Sequence, residues 1–362
     1  MSTTARQMNL NSTPLTPSIE SFQVAYNSML SAGITLCVSS EIHGKASSSK
    51  LLSAEHIVGR CMDDNSDINP LISTTYQGSL KHIMTTGPRL GGAVSVVQAL
   101  QQSCKRMETT SVELFQAQKA FSKTALAQGL ADALDKGLCN FVGVVDMNQN
   151  EMKAMVKKLD DFDCALTSNQ VSLSRVNTFL ESIQSSRFFH LTLTNVLQWL
   201  KFEFSLTNRK NMALIDSCKQ MRVVPLIRLP LGEDGLASGR YTAMNPSGGE
   251  TGGRSKFSFK LLDKLSPLHS VQEIVAERAS SRVKRQQKDL KGRSKSRFPP
   301  PEVNASISTT QVAINYVIAK GGVPLMDVYD TKSVDVVKGC LGWTLTVEEV
   351  DMLDKAASLC GL

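Results

Sequence analysis

Seven short, almost wholly apolar runs, each preceded by a stretch with helical apolar spacing, predict an α/β protein. Strands apolar on both faces are parallel strands covered by helices, and their number points to a (β/α)8 TIM barrel rather than a smaller open sheet. A length of 362 residues suits such a barrel carrying insertions. Hydrophobic residues make up 41% and charged residues 20%, enough apolar side chain to build a sizeable core. No run approaches the ~18 apolar residues of a transmembrane helix, so no membrane partner is expected.

The elements follow in order. Residues 1–18 are Ser/Thr-rich, with one arginine and no acid, and read as an unstructured N-terminal segment. The barrel is expected over 19–362. Phe22, Ala25, Met29 and Leu30 share one helical face, Gly33 stops that helix, and Ile34–Val38 is the first strand run. Helices are expected near 52–63, 93–106, 123–135, 149–160, 211–221 and 308–319. The strands between them are Leu71–Tyr76, Val112–Ala117, Phe141–Val145 after a Gly137 stop, Ala165–Val171, Val223–Leu229 and Val323–Met326. Ser308 with Gln311, and Thr346 with Glu349, have capping-box spacing and fix two helix starts. The opening strand is expected to be missing or degenerate. Nothing before Pro14 reads as a buried strand, and only Met8–Leu10 could stand in for it.

Two stretches break the rhythm. Between Ala276 and Phe298, nine basic residues face only Glu277 and Asp289, which accounts for the whole net charge of +7. So many cations cannot be buried unpaired, so 276–301 reads as an inserted, solvent-exposed loop. It is the one hint of nucleic-acid contact. With no interleaved aromatics and no recognised fold of its own, nucleic acid is not the expected partner. The other stretch, 172–203, ends in Phe188–Leu193 and Val196–Leu200. It reads either as a recent insertion or unspliced intron, or as a hydrophobic lid. The eight cysteines never form C-x-x-C and, with five scattered histidines, make no zinc pattern. A reducing, cytoplasmic compartment and no metal are expected.

Several segments carry a resemblance. Ser53-Ala-Glu-His-Ile-Val-Gly-Arg60, Phe141-Val-Gly-Val-Val-Asp146, Ser168-Asn-Gln-Val171, Pro225–Leu231 with Gly235–Tyr241, Gln311–Asn315 and Leu341–Thr346 occur in this order. Taken together, from about residue 19 to 358, they resemble the aldo-keto reductases. That resemblance implies a barrel that binds NADP(H) at the carboxyl ends of its strands and reduces a small carbonyl substrate. The family's tetrad is Asp, Tyr, Lys and His. Tyrosine protonates the nascent alkoxide, lysine lowers its pKa, aspartate holds the lysine, and histidine orients the carbonyl.

Matched position by position, the aspartate falls on Val38, the tyrosine on His43, the lysine on Thr75 and the histidine on Gln118. Tyr76 does not replace the tyrosine, because adjacent strand residues face opposite sides. The family's nicotinamide contacts, Ser, Asn and Gln, match Val145, Asp146 and Gln170. Leu231, Gly235 and Arg240 fall in the pyrophosphate loop, with Arg240 at its lysine. Near the 2′-phosphate, the family's P-G-A-K reads Met326-Asp-Val-Tyr329, and the adenine-side asparagine is Val337. An aspartate beside a phosphate is electrostatically unfavourable.

The expectation is therefore a degenerate member of the family with at most residual NADP(H) binding. One alternative is an active NADPH-dependent carbonyl reductase using His43, since a histidine can donate a proton near neutrality without a lysine. Another is a non-enzymatic scaffold that uses the basic stretch. No oligomeric state is implied.

Overall fold

The computed structural model describes residues 2–4, 19–39, 54–62, 70–76, 92–118, 122–171, 204–249, 255–293, 306–328 and 331–362. Eight parallel strands close into a barrel in chain order. They are β1 (Ser2–Thr4), β2 (Leu36–Val38), β3 (Leu71–Tyr76), β4 (Val112–Gln118), β5 (Cys139–Val145), β6 (Leu166–Val171), β7 (Val224–Arg228) and β8 (Val323–Asp327). The seven apolar runs are β2 to β8. Outside them lie α1 (Ile19–Ser31), α2 (Ala54–Met62), α3 (Ala93–Arg106), α4 (Lys123–Asp135), α5 (Gln149–Asp160) and α6 (Met212–Gln220). The chain continues through α7 (Phe259–Lys264), α8 (Ser266–Arg293), α9 (Thr309–Ala319), α10 (Thr331–Lys338) and α11 (Val347–Leu359). Both expected capping boxes form, at Ser308/Gln311 and Thr346/Glu349, and Asn148/Glu151 makes a third.

The opening strand is degenerate, as expected: it is only Ser2–Thr4, pairing with Leu36–Val38 and with Leu325–Asp327, so these three residues correct the expectation of an unstructured 1–18. It is very short, and it is not Met8–Leu10, which lies outside the described residues. The physical reason is the pair of edges. Without β1, both β2 and β8 would present unpaired backbone groups, and three residues suffice to satisfy them.

The basic stretch also differs from expectation. Through Arg293 it is not a loop but the second half of α8. Leu268, Gln272, Val275, Ala279 and Val283 recur at three- and four-residue spacing and are buried. This stripe packs α8 against α9 and α11. Arg278, Lys284, Arg285 and Lys288 sit exposed on the remaining faces and need no burial. Arg282 is tied to both Glu349 carboxylate oxygens (2.5 and 3.0 Å) and to the Thr344 carbonyl (2.9 Å). Residues 294–301 and the insertion at 172–203 lie outside the described residues.

The main core fills the layer between strands and helices. A smaller cluster of Ala25, Met29, Ile34, Ile314, Met326, Val334 and Val337 seals α1, α9 and α10 against β8. Inside the barrel, Val38, Leu114, Leu226 and Leu325 form their own apolar cluster. The last helix is latched by Asp354. Tyr316 Oη and Lys320 Nζ donate to its two oxygens (2.6 and 2.5 Å), and Arg209 adds a third contact at 3.2 Å. Burial alone would raise this carboxyl, but the Lys320 and Tyr316 hydrogen bonds outweigh it and hold it below the usual range. All eight cysteines are buried and none is in a disulfide. Burial pushes the Cys139 and Cys340 thiols up to about 12, which leaves them unreactive near neutrality.

Candidate functional site

Which side chains face the barrel interior is fixed by a polar belt across three strands. Ser73 Oγ donates to Gln116 Oε1 (3.2 Å), and Gln116 Nε2 donates to Ser168 Oγ (3.4 Å), all of them buried. Gly143 completes the belt. A Cβ there would lie 2.1 Å from Ser168 Oγ and 3.2 Å from Gln116 Cγ, so only glycine leaves room for the chain of bonds. Side chains alternate along a strand. Two residues above the belt, Thr75, Gln118, Val145 and Gln170 therefore also face inward, at the carboxyl ends of β3 to β6.

Val38 closes β2 at the same end of the barrel. It is 1% exposed and belongs to the interior apolar cluster with Leu114, Leu226 and Leu325. Val38 lies beside Ser73, and Thr75 lies beside Gln116, so β2, β3 and β4 bring the three matched tetrad positions to adjacent strand ends. Thr75 is buried, and Gln118 is half-buried with its Oε1 lacking any hydrogen-bond partner. The three are an aliphatic group, a hydroxyl and a carboxamide, and none is charged. The neighbours of Thr75 point outward. Thr74 Oγ1 donates to Glu55 (2.6 Å), and Tyr76 packs in the outer core. His43 lies outside the described residues.

Gln170 sits in register with Val145 on one side and Leu226 on the other, and its Oε1 is also buried without a partner. Asp146 follows β5 in a left-handed conformation (φ 56°), and its N–H donates to the Gln170 carbonyl at 2.9 Å. The loop after β7 is a short 3-10 helix, Glu233–Ser238, flanked by Gly232 and Gly239 at φ 74°. A Cβ on Gly232 would lie 3.0 Å from Thr207 Oγ1, so the loop hugs the Ser205–Asn208 turn. Leu231 packs against the main core, and Gly235 stands open, with only a Tyr241 ring atom at 4.0 Å. Arg240 is turned onto Tyr241: its Nη2 donates to Tyr241 Oη (3.1 Å), and its guanidinium lies 5.3 Å from the ring centre.

One residue of this ring was not singled out from sequence. Arg228 ends β7 two residues beyond the inward-facing Leu226, and Asp327 holds the equivalent place on β8 beyond Leu325. The available signal was a lone arginine at an alternate position in the apolar run Val223–Leu229.

A dinucleotide would fit this end only in part. The unpartnered Gln170 oxygen could accept from a carboxamide, and the glycine-built loop exposes backbone near Gly235. At the phosphate end, Asp327 offers the wrong sign of charge. Val337 is 1% exposed within the cluster beneath α10 and reaches no groove. Among the described residues, no group of three or more His, Cys, Asp or Glu could hold a metal ion, and no helix is long and apolar enough to cross a membrane.

The fold is shared with solved aldo-keto reductases. One from Klebsiella pneumoniae, in complex with NADP and acetate, is 13% identical with a TM-score of 0.61, over 98% of this chain and 89% of that one. The Bombyx mori aldo-keto reductase in complex with NADP is 15% identical with a TM-score of 0.58, over 98% and 88%. The glycerol dehydrogenase from Gluconobacter oxydans is 14% identical with a TM-score of 0.61, over 99% and 90%. At these identities the likeness is one of fold. No curated protein matches the sequence. The model of the aldo/keto reductase family matches residues 7–358, nearly the whole chain, and the chain belongs to that family.

Proposed function

We propose that this chain is a catalytically degenerate aldo-keto reductase: a barrel that has lost carbonyl reduction and keeps at most residual NADP(H) binding. One observation carries the reading. The inward-facing strand ends that match the family's aspartate, lysine and histidine are Val38, Thr75 and Gln118. Protonating an alkoxide needs an acid of suitable pKa, and stabilising its charge needs a cation or aligned donors. A valine, a threonine and a glutamine supply no titratable group and no cation. Removing one such electrostatic contact costs ~10²–10³ in rate, and groups that act as a unit are not lost additively.

Gln170, with its unpartnered oxygen, and the backbone around Gly235 are the residues that would meet the nicotinamide and pyrophosphate. Val145 and Asp146 weaken the first contact, and Asp327 opposes a 2′-phosphate. A bound NADPH would supply hydride. No residue described here would complete the transfer by delivering the proton.

The test is NADPH oxidation by purified protein with an aromatic aldehyde near neutral pH, beside NADPH titration followed by intrinsic fluorescence. Turnover far below the ~10 s⁻¹ common among enzymes is expected. Turnover near that value would overturn the proposal. Its loss in His43→Ala would then identify the replacement donor.

A further inference from the structure

We propose that the distal end of α8, Lys284–Arg293, is an electrostatic arm that docks on the phosphate backbone of a nucleic acid, without reading its sequence. This stands apart from the proposed function, since it uses neither the strand ends nor a cofactor. The whole excess charge of the chain falls between Arg278 and Arg297. The helix gives that charge a fixed geometry, which a loop would not. The buried stripe of α8 ends at Val283. Ten residues continue as helix beyond it, a length of about 15 Å. Within this arm Lys284, Arg285 and Lys288 are exposed, and Lys291 and Arg293 follow in the sequence. Asp289 is the only acid.

The two sides of the helix differ. One side, from Arg278 and Arg282 to Arg285 and Asp289 within the arm, lines a groove of about 660 Å³ that also holds Glu277, Glu348 and Glu349. Cations there are met by carboxylates of the chain itself, and Arg282 is bonded to Glu349. Lys284 and Lys288 are not among the groove-lining residues. They recur four residues apart, hence on one side of the helix, and among the described residues no ion pair holds either. A rod of uncompensated cations on a body that is otherwise neutral concentrates the field at one place.

Among polyanions, a nucleic-acid backbone suits this arm better than an anionic membrane. A helix that lies in a lipid interface needs an apolar face beside its charges. Between Lys284 and Arg293 the only apolar residue is Leu290. The exposed Gln286 instead adds a hydrogen-bonding group suited to phosphate and sugar oxygens.

The experiment uses the full chain and fluorescence anisotropy with a labelled duplex DNA and a labelled single-stranded RNA, each titrated at several salt concentrations. Flotation with phosphatidylserine vesicles runs in parallel. Contacts to about four phosphates predict binding at low salt, with log K falling against log[salt] at a slope of about −3 to −4. The triple variant Lys284→Glu, Arg285→Glu, Lys288→Glu should lose at least tenfold in affinity and most of that slope. A control with the same net charge, Lys123→Glu, Lys136→Glu, Lys157→Glu, reverses three exposed lysines on α4 and α5 and should bind as the parent does. Circular dichroism confirms that both variants fold. No binding at low salt, equal loss in both variants, or binding to vesicles but not to nucleic acid would each overturn the proposal.

Discussion

Restoring the family's aspartate at residue 38 should damage this barrel rather than repair it. Val38 is 1% exposed, and its cluster partners are Leu114, Leu226 and Leu325. The inward-facing register neighbour of residue 38 is Ser73, whose hydroxyl already donates to Gln116 Oε1 (3.2 Å), so a carboxyl placed there must compete for that one donor, worth about 1 kcal/mol. Burying even a neutral carboxyl with incomplete hydrogen bonding costs ~1–3 kcal/mol. Ionising it in that setting is worse, so the native state would keep the proton and its pKa would rise above the unfolded value near 3.9. A raised native pKa means that the native state binds more protons than the unfolded chain, so stability falls as pH rises. Each pH unit between the two pKa values costs about 1.4 kcal/mol. Val38→Asp should therefore lose ~1–3 kcal/mol below pH 4, as much as ~1.5 kcal/mol more at pH 5, and as much as ~2.7 kcal/mol beyond that at pH 7. Urea unfolding at these pH values measures this, with Val38→Asn as a polar control that has no proton to lose. If Val38→Asp loses less than about 1 kcal/mol, or tracks Val38→Asn across pH, residue 38 meets a solvated mouth instead of the apolar interior, and the reasoning fails.

Gly232→Ala should cost ~1–3 kcal/mol by thermal or urea unfolding, because φ 74° with ψ 178° is nearly glycine-only and the new methyl would sit 3.0 Å from Thr207 Oγ1. Asp354→Asn should flatten the acid limb of the pH–stability curve. The Asp354 pKa is depressed in the native state, so its contribution is present above the unfolded pKa and is lost as pH falls through the native one. A variant whose acid unfolding parallels that of the parent would show that the latch from Tyr316 and Lys320 adds nothing.

The outer architecture was legible because each strand is buried on two faces and each helix on one. Apolar runs and apolar spacing record those facts directly. β1 was not legible, for a related reason. Ser2, Thr3 and Thr4 carry no apolar signal, and their pairing is dictated by the open edges of β2 and β8, hundreds of residues apart. In α8 the charge run concealed the stripe. One stripe position is Gln272, polar yet fully buried because its Nε2 donates to the Ala237 carbonyl at 2.9 Å. At the candidate site, the motif resemblance pointed to Val38, Thr75, Gln118 and Gln170, and the strands carry all four near their carboxyl ends, where alternation gives their inward aim. That Gln118 and Gln170 keep buried oxygens without partners depends on what neighbouring strands fail to offer, which no single run of sequence records.

The carboxyl-end half of the barrel interior has two layers of different chemistry. Beneath the strand ends, Ser73, Gln116 and Ser168 are linked, and Gly143 gives them room, so the interior is satisfied without help from the tetrad positions. In the layer above, the Gln118 and Gln170 carboxamides retain unused acceptors, while Val38, in register with Ser73, has merged with the hydrophobic interior. The lower layer holds the barrel interior closed and hydrogen-bonded without any contribution from Thr75 or Gln118, so the fold that the family match over residues 7–358 records does not depend on what stands at those strand ends.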